Sequence, residues 1–222
     1  QYRMAKYFQL DMVRLNGAPH CGNPRPEKLG PGRWRLKGVE YVVNPRTRMV
    51  EPADPGQEAA MSKRVSEDEM RERILAWDGK APSMDGHRKD PVLKRVQELA
   101  EADGSDIVFM AEIGVGTGVA FYPPFMLMWM ALEPELYQRW LLMQKTSGLP
   151  RTRKLIGDGC PVVAMGGDIS SDKGPFISPE MYREFILPVI QEHVNLIHEE
   201  GAMAVYTSDG NHWAIKEDFF FN

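Results

Sequence analysis

The chain has 222 residues, which at roughly 150 residues per domain suits one domain with an appendage. Hydrophobic residues make up 43% and charged residues 26%, so intrinsic disorder is excluded for most of the length. Lys and Arg number 27 against 31 Asp and Glu, a net charge of −4, without the basic footprint of a nucleic-acid binder. No run approaches the roughly 18 apolar residues of a membrane span, and Gln1–Met4 does not open a secretory leader. Two cysteines, Cys21 and Cys160, are too few for a disulfide scaffold and point to a reducing, cytoplasmic setting.

Tyr7–Asn16 reads as a strand carrying Phe8, Leu10, Met12, Val13 and Leu15, ending at Gly17. From Ala18 to Gly38, four prolines (Pro19, Pro24, Pro26 and Pro31) forbid a long helix. Val39–Val43 is a short strand before the Asn44–Pro45 turn. Ser66 and Glu69 have the spacing of a capping box, opening a helix to about Trp77 with Met70, Ile74 and Trp77 on one face. A second helix runs from Pro91 to about Ala102, with Val92, Val96 and Leu99 inward, and stops at Gly104. Asp106–Ile113 is an apolar run with one acid, Glu112, as expected of a strand buried on both faces. A helix follows from Glu133 to about Ser147, broken by Gly148 and Pro150. Pro161–Gly167 is a strand, and Ser178 with Pro179 caps a long helix to Glu200 that should kink near Pro188. Gly201 stops it before the strand Ala202–Tyr206.

Alternation of strand and helix from Asp106 onward implies parallel strands joined by helical crossovers. Four central strands, near Leu10, Ile107, Val162 and Val205, fall short of the eight in a barrel of about 250 residues. The expectation is an α/β fold of the (β/α)8 TIM-barrel type, incomplete here. It is one domain over 1–222, with an irregular excursion over 18–60. Phe219-Phe220-Phe221 is an unlikely natural terminus, so the sequence reads as a fragment. A half-barrel would expose strand edges and an apolar face, and so should dimerise or aggregate.

Ligands of parallel α/β folds sit at the carboxyl ends of the strands. Three such ends carry polar residues. Gly114, Gly116, Gly118 and Tyr122 follow the first strand. Asp168, Ser170, Ser171, Asp172 and Lys173 follow the second, and Thr207, Ser208, Asp209, Asn211 and His212 follow the third. The glycine run lacks both the G-x-G-x-x-G spacing and the Lys-Ser/Thr of a phosphate loop. Asp168 and Asp209 can bind a metal, move a proton or hold a cation, while Asp209–Gly210 is also an ordinary turn pair. His193 and His198 are five apart, the wrong spacing for a helical metal pair. Neither Gly-x-Ser-x-Gly nor His-Glu-x-x-His is present, which leaves hydrolase and zincin readings unsupported.

The segment Gly166-Gly-Asp-Ile-Ser-Ser-Asp-Lys-Gly-Pro-Phe-Ile-Ser-Pro-Glu-Met-Tyr-Arg-Glu-Phe-Ile-Leu-Pro188 strongly resembles the uroporphyrinogen decarboxylase superfamily. That superfamily also holds the methylcobalamin:coenzyme M methyltransferases and related corrinoid-dependent enzymes. Tyr206-Thr-Ser-Asp-Gly-Asn211 resembles the family's His-Ser-Asp-Gly-Asn or His-x-Cys-Gly-Asn stretch. The resemblance implies a barrel with its cleft at the strand carboxyl ends. The decarboxylases' active-site Tyr falls on Tyr122, their strand-end Ser on Asp168 and their pyrrole-binding Asp on Ala18. The methyltransferases' zinc-binding His and Cys fall on Thr207 and Asp209. Thr is a poor zinc ligand and Asp an acceptable one, so a zinc centre is doubtful and Asp209 is its one candidate ligand. What the resemblance then implies is methyl transfer between a small methylated donor or acceptor and a cobalamin carried by a partner protein. Asp168, Asp209 and Tyr122 would be catalytic, and Asn211, His212, Lys173 and Glu112 would bind substrate. Two alternatives stand beside it: a tetrapyrrole decarboxylase, and a non-catalytic subunit that binds a corrinoid or a partner. A homodimer is also among the expectations; a nucleic-acid or membrane partner is not.

Overall fold

A computed structural model describes residues 2–15, 26–54, 56, 65–83, 91–113, 119 and 123–220. The chain divides into two compact units, residues 19–70 and the remainder.

The smaller unit replaces the expected irregular excursion with an antiparallel sheet of four strands, β2 (Glu27–Gly30), β3 (Arg33–Leu36), β4 (Val39–Val43) and β5 (Val50–Pro52). The prolines that forbid a helix here are compatible with hairpins. Pro31 and Gly32 make the first turn, with Gly32 at φ +66°. Lys37 and Gly38 make the second, both at positive φ, the twist that suits a two-residue hairpin. Across one face Arg35 bonds Glu40 and Glu27, and Arg33 bonds Glu40. The two arginines, Arg35 foremost, hold the Glu40 carboxyl below its ordinary range.

The larger unit is built on a parallel sheet of four strands in the order β1 (Met12–Leu15), β6 (Val108–Ile113), β7 (Val162–Gly166), β8 (Met203–Thr207). Every pair is parallel. Strands adjacent in this order are successive strands of the unit, as in half of a (β/α)8 barrel, and no closed barrel forms among the described residues. Its helices are α1 (Tyr2–Tyr7), α2 (Glu67–Ala76, which starts in the smaller unit), α3 (Pro91–Asp103), α4 (Pro124–Leu132), α5 (Pro134–Gly157), α6 (Pro179–Met181), α7 (Leu187–Glu199) and α8 (Lys216–Phe220).

One face of the sheet is the core. Val13, Leu15, Phe109 and Ala111 pack with Leu93, Val96 and Ala100 of α3. Val163 and Met165 pack with Ile197 of α7. Several caps form as the sequence predicts. Ser66 Oγ accepts the Glu69 N–H while the Glu69 carboxylate accepts the Ser66 N–H. Ser178 Oγ accepts from Met181. Gly201 takes φ +78°, and Ala202 N–H returns to the Ile197 carbonyl.

Four expectations change. The first strand starts at Met12, because Tyr2–Tyr7 is helical and Leu10 N–H closes onto the Ala5 carbonyl; Phe8 and Leu10 lie exposed. β6 is covered on one face only, with Phe109 and Ala111 buried while Val108 and Glu112 are exposed. Helix α5 does not break at Gly148 or Pro150. Gly148 is buried against His193, and the Thr152 hydroxyl donates to the Gly148 carbonyl, so packing outweighs the lost proline N–H. Where a kink is expected near Pro188, the long helix instead passes through a π turn at Tyr182–Ile186, with Leu187 N–H reaching the Tyr182 carbonyl. Pro188 has no N–H for the Glu184 carbonyl, which favours the wider turn there.

Candidate functional site

The strand-end residues meet above β7 and β8. Register pairs Gly166 with Thr207, so the loops leaving both strands start side by side. Three hydrogen bonds then join them. Asp168 Oδ1 accepts the Asp209 N–H at 3.0 Å, Ser208 Oγ accepts the Ile169 N–H at 3.2 Å, and the Ser171 carbonyl accepts the Asn211 N–H at 2.7 Å. Gly210 makes this approach possible. Its φ is +101°, and a Cβ there would lie 2.5 Å from the Ser170 carbonyl oxygen, a distance no side chain tolerates. Asp209–Gly210 is therefore a turn whose geometry serves the neighbouring loop.

These bonds separate the predicted residues by role. Asp168 is half-buried and one of its oxygens fixes the backbone of Asp209, whose own side chain is exposed. His212 Nε2 lies 2.9 Å from Ser208 Oγ, so it braces the same joint. Asn211 turns its side chain back to accept the Trp213 N–H, and Lys173 is exposed, its N–H bonded to Ser171 Oγ. Tyr122 and Gly114–Gly118 lie outside the described residues.

Beneath the joint, the sheet's second face carries a polar row. Arg14 of β1 and Glu112 of β6 form an ion pair with Nη2 and Oε1 2.9 Å apart. On β7 the row meets Gly166. A Cβ at that position would stand 3.4 Å from Glu112 Oε1 and 2.8 Å from Thr207 Oγ1. With no side chain, Gly166 lets the Thr207 hydroxyl and the Glu112 carboxylate close in over β7. Towards the amino ends the same face is apolar, with Met12, Val108, Val162 and Met203. Glu112 lies on this face, bonded to Arg14. Arg14 was missed, since a single base in a short apolar strand gives no signal until β6 is set beside it.

Among the described residues no three of His, Cys, Asp and Glu come together as a metal could require. Elsewhere the perturbed groups are structural. Burial pushes the Tyr137 and Tyr182 hydroxyls and the Cys160 thiol upward. Arg71, bonded to both Glu133 oxygens at 2.6 Å, lowers the Glu133 carboxyl and ties α2 to the α4–α5 elbow.

No known family profile matches the chain, and no curated protein matches it. Among solved structures the fold is similar to that of a methyltransferase from Methanosarcina mazei. The TM-score is 0.54 at 15% identity, covering 97% of this chain and 57% of that one. The likeness is one of fold, and this chain spans 57% of that structure's length. No described helix is long and apolar enough to cross a membrane.

Proposed function

We propose that this chain is the substrate-holding part of a methyltransferase of the uroporphyrinogen decarboxylase kind, serving a corrinoid carried by a partner protein. The observation that carries the reading is the joint between Asp168 and the Asp209 backbone at the carboxyl edge of the parallel sheet. It fixes two acids within the segments that resemble the superfamily, at the edge where such folds bind ligands. The fold likeness to a methyltransferase supports the same reading.

The corrinoid, when bound, supplies the metal that exchanges the methyl group. The chain supplies placement. Asp168 holds the β8 loop in register, and Asp209 presents an exposed carboxylate that can orient a proton donor or hold a cation beside the atom losing its methyl group. Arg14 and Glu112 offer donors and an acceptor to the body of the substrate, and Gly166 lets Glu112 and Thr207 come close over β7. A tetrapyrrole with many carboxylates would need several unpaired bases. The described open face offers Arg14, already bonded to Glu112.

The test is anaerobic. The protein is mixed with cob(I)alamin and methoxylated or methylated-amine donors, and separately with methylcobalamin and thiol or folate acceptors, and the corrinoid spectrum is followed. Turnover that falls roughly 10²-fold or more in Asp209→Ala, in the range for a group that serves a proton transfer, is the expected result. No protein-dependent change with any donor or acceptor overturns the reading, as does turnover indifferent to Asp209→Ala and Asp168→Asn.

A further inference from the structure

We infer that Ser208 and His212 are the proton relay of the site: the Ser208 hydroxyl gives its proton to the atom that loses its methyl group, and His212 replaces that proton. The inference deepens the methyltransferase reading and rests on it. His212 Nε2 lies 2.9 Å from Ser208 Oγ, four residues back in the chain, and Oγ also accepts the Ile169 N–H at 3.2 Å. The hydroxyl is thus held from two sides, by the ring that follows it and by the loop leaving β7. Ser208 is half-buried, between Thr207 at the end of β8 and the exposed Asp209.

Counting protons decides what the pair can do. A serine hydroxyl has one proton and two lone pairs. The Ile169 N–H fills one lone pair. When Nε2 is bare, the Ser208 proton points to the ring. When Nε2 carries a proton, the ring donates to the second lone pair, and the hydroxyl proton must turn away from it. Its other partner is the Asp209 carbonyl at 3.4 Å, long for an O–H donor, so a ligand oxygen at the strand ends can replace that bond. Charging His212 therefore turns Ser208 into a donor towards the site.

The charges around the pair leave this task to the ring. Carboxylates and ammonium groups hold one charge across the neutral range, while histidine is the side chain that changes there. The two loops and the turn after them carry Asp168, Asp172 and Lys173, then Asp209, Lys216, Glu217 and Asp218, with His212 the one histidine among them. Asp168 accepts the Asp209 N–H, Asp218 pairs with Arg183 of the long helix, and Lys216 Nζ stands 4.9 Å from the centre of the Trp213 ring and 3.6 Å from Glu217. The step balances for an O-methyl donor. The carbon–oxygen bond breaks, the methyl group leaves for the corrinoid without the bonding pair, and the oxygen keeps that pair. The oxygen takes the Ser208 proton, Oγ takes the Nε2 proton, and His212 ends neutral until solvent recharges it.

Two measurements test the relay, and the first uses the protein alone. With isotope-labelled histidine, the NMR signals of the His212 ring are assigned by their absence in His212→Gln. They should shift in Ser208→Ala, and Ser208→Thr, which keeps the hydroxyl, should retain them. Ring signals indifferent to Ser208→Ala overturn the inference. The second measurement follows the corrinoid spectrum with cob(I)alamin and a methoxylated aromatic donor. Wild-type kcat/KM should fall as pH rises through the His212 titration that NMR records. His212→Gln should lose roughly 10²-fold or more at the acid end, and its remaining turnover should no longer follow that titration. Ser208→Ala should lose as much. Turnover that keeps the same pH dependence in His212→Gln overturns the relay and leaves the methyltransferase reading standing. So does turnover confined to quaternary methylammonium donors, whose amine leaves without taking a proton. Absence of turnover with every donor and acceptor overturns the methyltransferase reading itself, and the relay with it.

Discussion

The two faces of the parallel sheet are made from the same strands and carry opposite chemistry. Val13, Leu15, Phe109, Ala111, Val163 and Met165 point to the helices, and each is at most 9% exposed. Residues one position along point the other way, and there Met12 and Met203 at the two edges are open to solvent and Arg14 and Glu112 pair across two strands, while Val162 and Ala164 at the centre are buried. Since side chains alternate along a strand, this division is set by register alone. The covered face supplies the burial that holds the sheet together. The other face can then hold an ion pair and, at its edges, exposed methionines that contribute little to stability.

The largest effect is expected on the covered face. Ile197 is fully buried against Val163 and Met165. Ile197→Ala should cost about 2–5 kcal/mol, the usual range for truncating a large aliphatic in a core that cannot collapse, measured by urea unfolding. A cost below 1 kcal/mol would mean that this face tolerates loss as readily as the open one.

Next comes the joint at the carboxyl edge. Gly210→Ala adds a Cβ against the Ser170 carbonyl at a positive φ. Strain of this kind costs about 1–3 kcal/mol, and the loops must part to relieve it. Turnover in the anaerobic assay should drop with stability, since the Asp168–Asp209 bond is lost when the loops separate. Wild-type stability and activity together would show that the two loops are not held as described.

Much of this was legible in the chain. The Ser178–Pro179 cap, the Ser66–Glu69 box and the Gly201 stop are local devices, set by residues within one turn, and a sequence displays them directly. The four-strand count and the strand-end acids followed from alternation and position. Gly148 and Pro150 misled because their local preference to break a helix is outweighed by His193, which lies on another helix. The hairpins at Pro31–Gly32 and Lys37–Gly38 lie inside a segment whose sequence reads as irregular, because β2 and β3 are only four residues long and half charged. Arg14 was silent for the same reason as His193: its partner is supplied by topology, which a single strand does not encode.

His193 gives a smaller effect, graded by pH. Its ring is fully buried, Nδ1 donates to the Val189 carbonyl at 2.8 Å, and Nε2 is enclosed without a partner among the described residues. Burial lowers its pKa from the ordinary 6.5, while the nearby Glu192–Lys145 pair adds opposed influences. The unfolded chain therefore binds a proton that the folded chain resists. Stability from this group is complete above about pH 6.5 and declines as pH falls towards the lowered value, by at most about 1.4 kcal/mol per pH unit. His193→Gln should flatten that part of the urea midpoint against pH. An unchanged slope would assign the pH dependence to other groups.

The smallest expected effect on stability belongs to Arg14 and Glu112, and it separates the two faces most sharply. Both side chains are about one-third exposed, 34% and 37%, so water already screens the pair. Arg14→Met and Glu112→Gln should each change stability by no more than about 1 kcal/mol. If the pair only neutralises itself, the double variant should bind and turn over substrate like the wild type, because neither charge is then left alone. If the pair contacts substrate, the double variant stays folded but raises KM, and restoring one charge alone does not recover it. A double variant with wild-type KM would place the pair in the structure and outside the site. The site would then reduce to the carboxyl edge of β7 and β8, with Asp209 left as the group that acts.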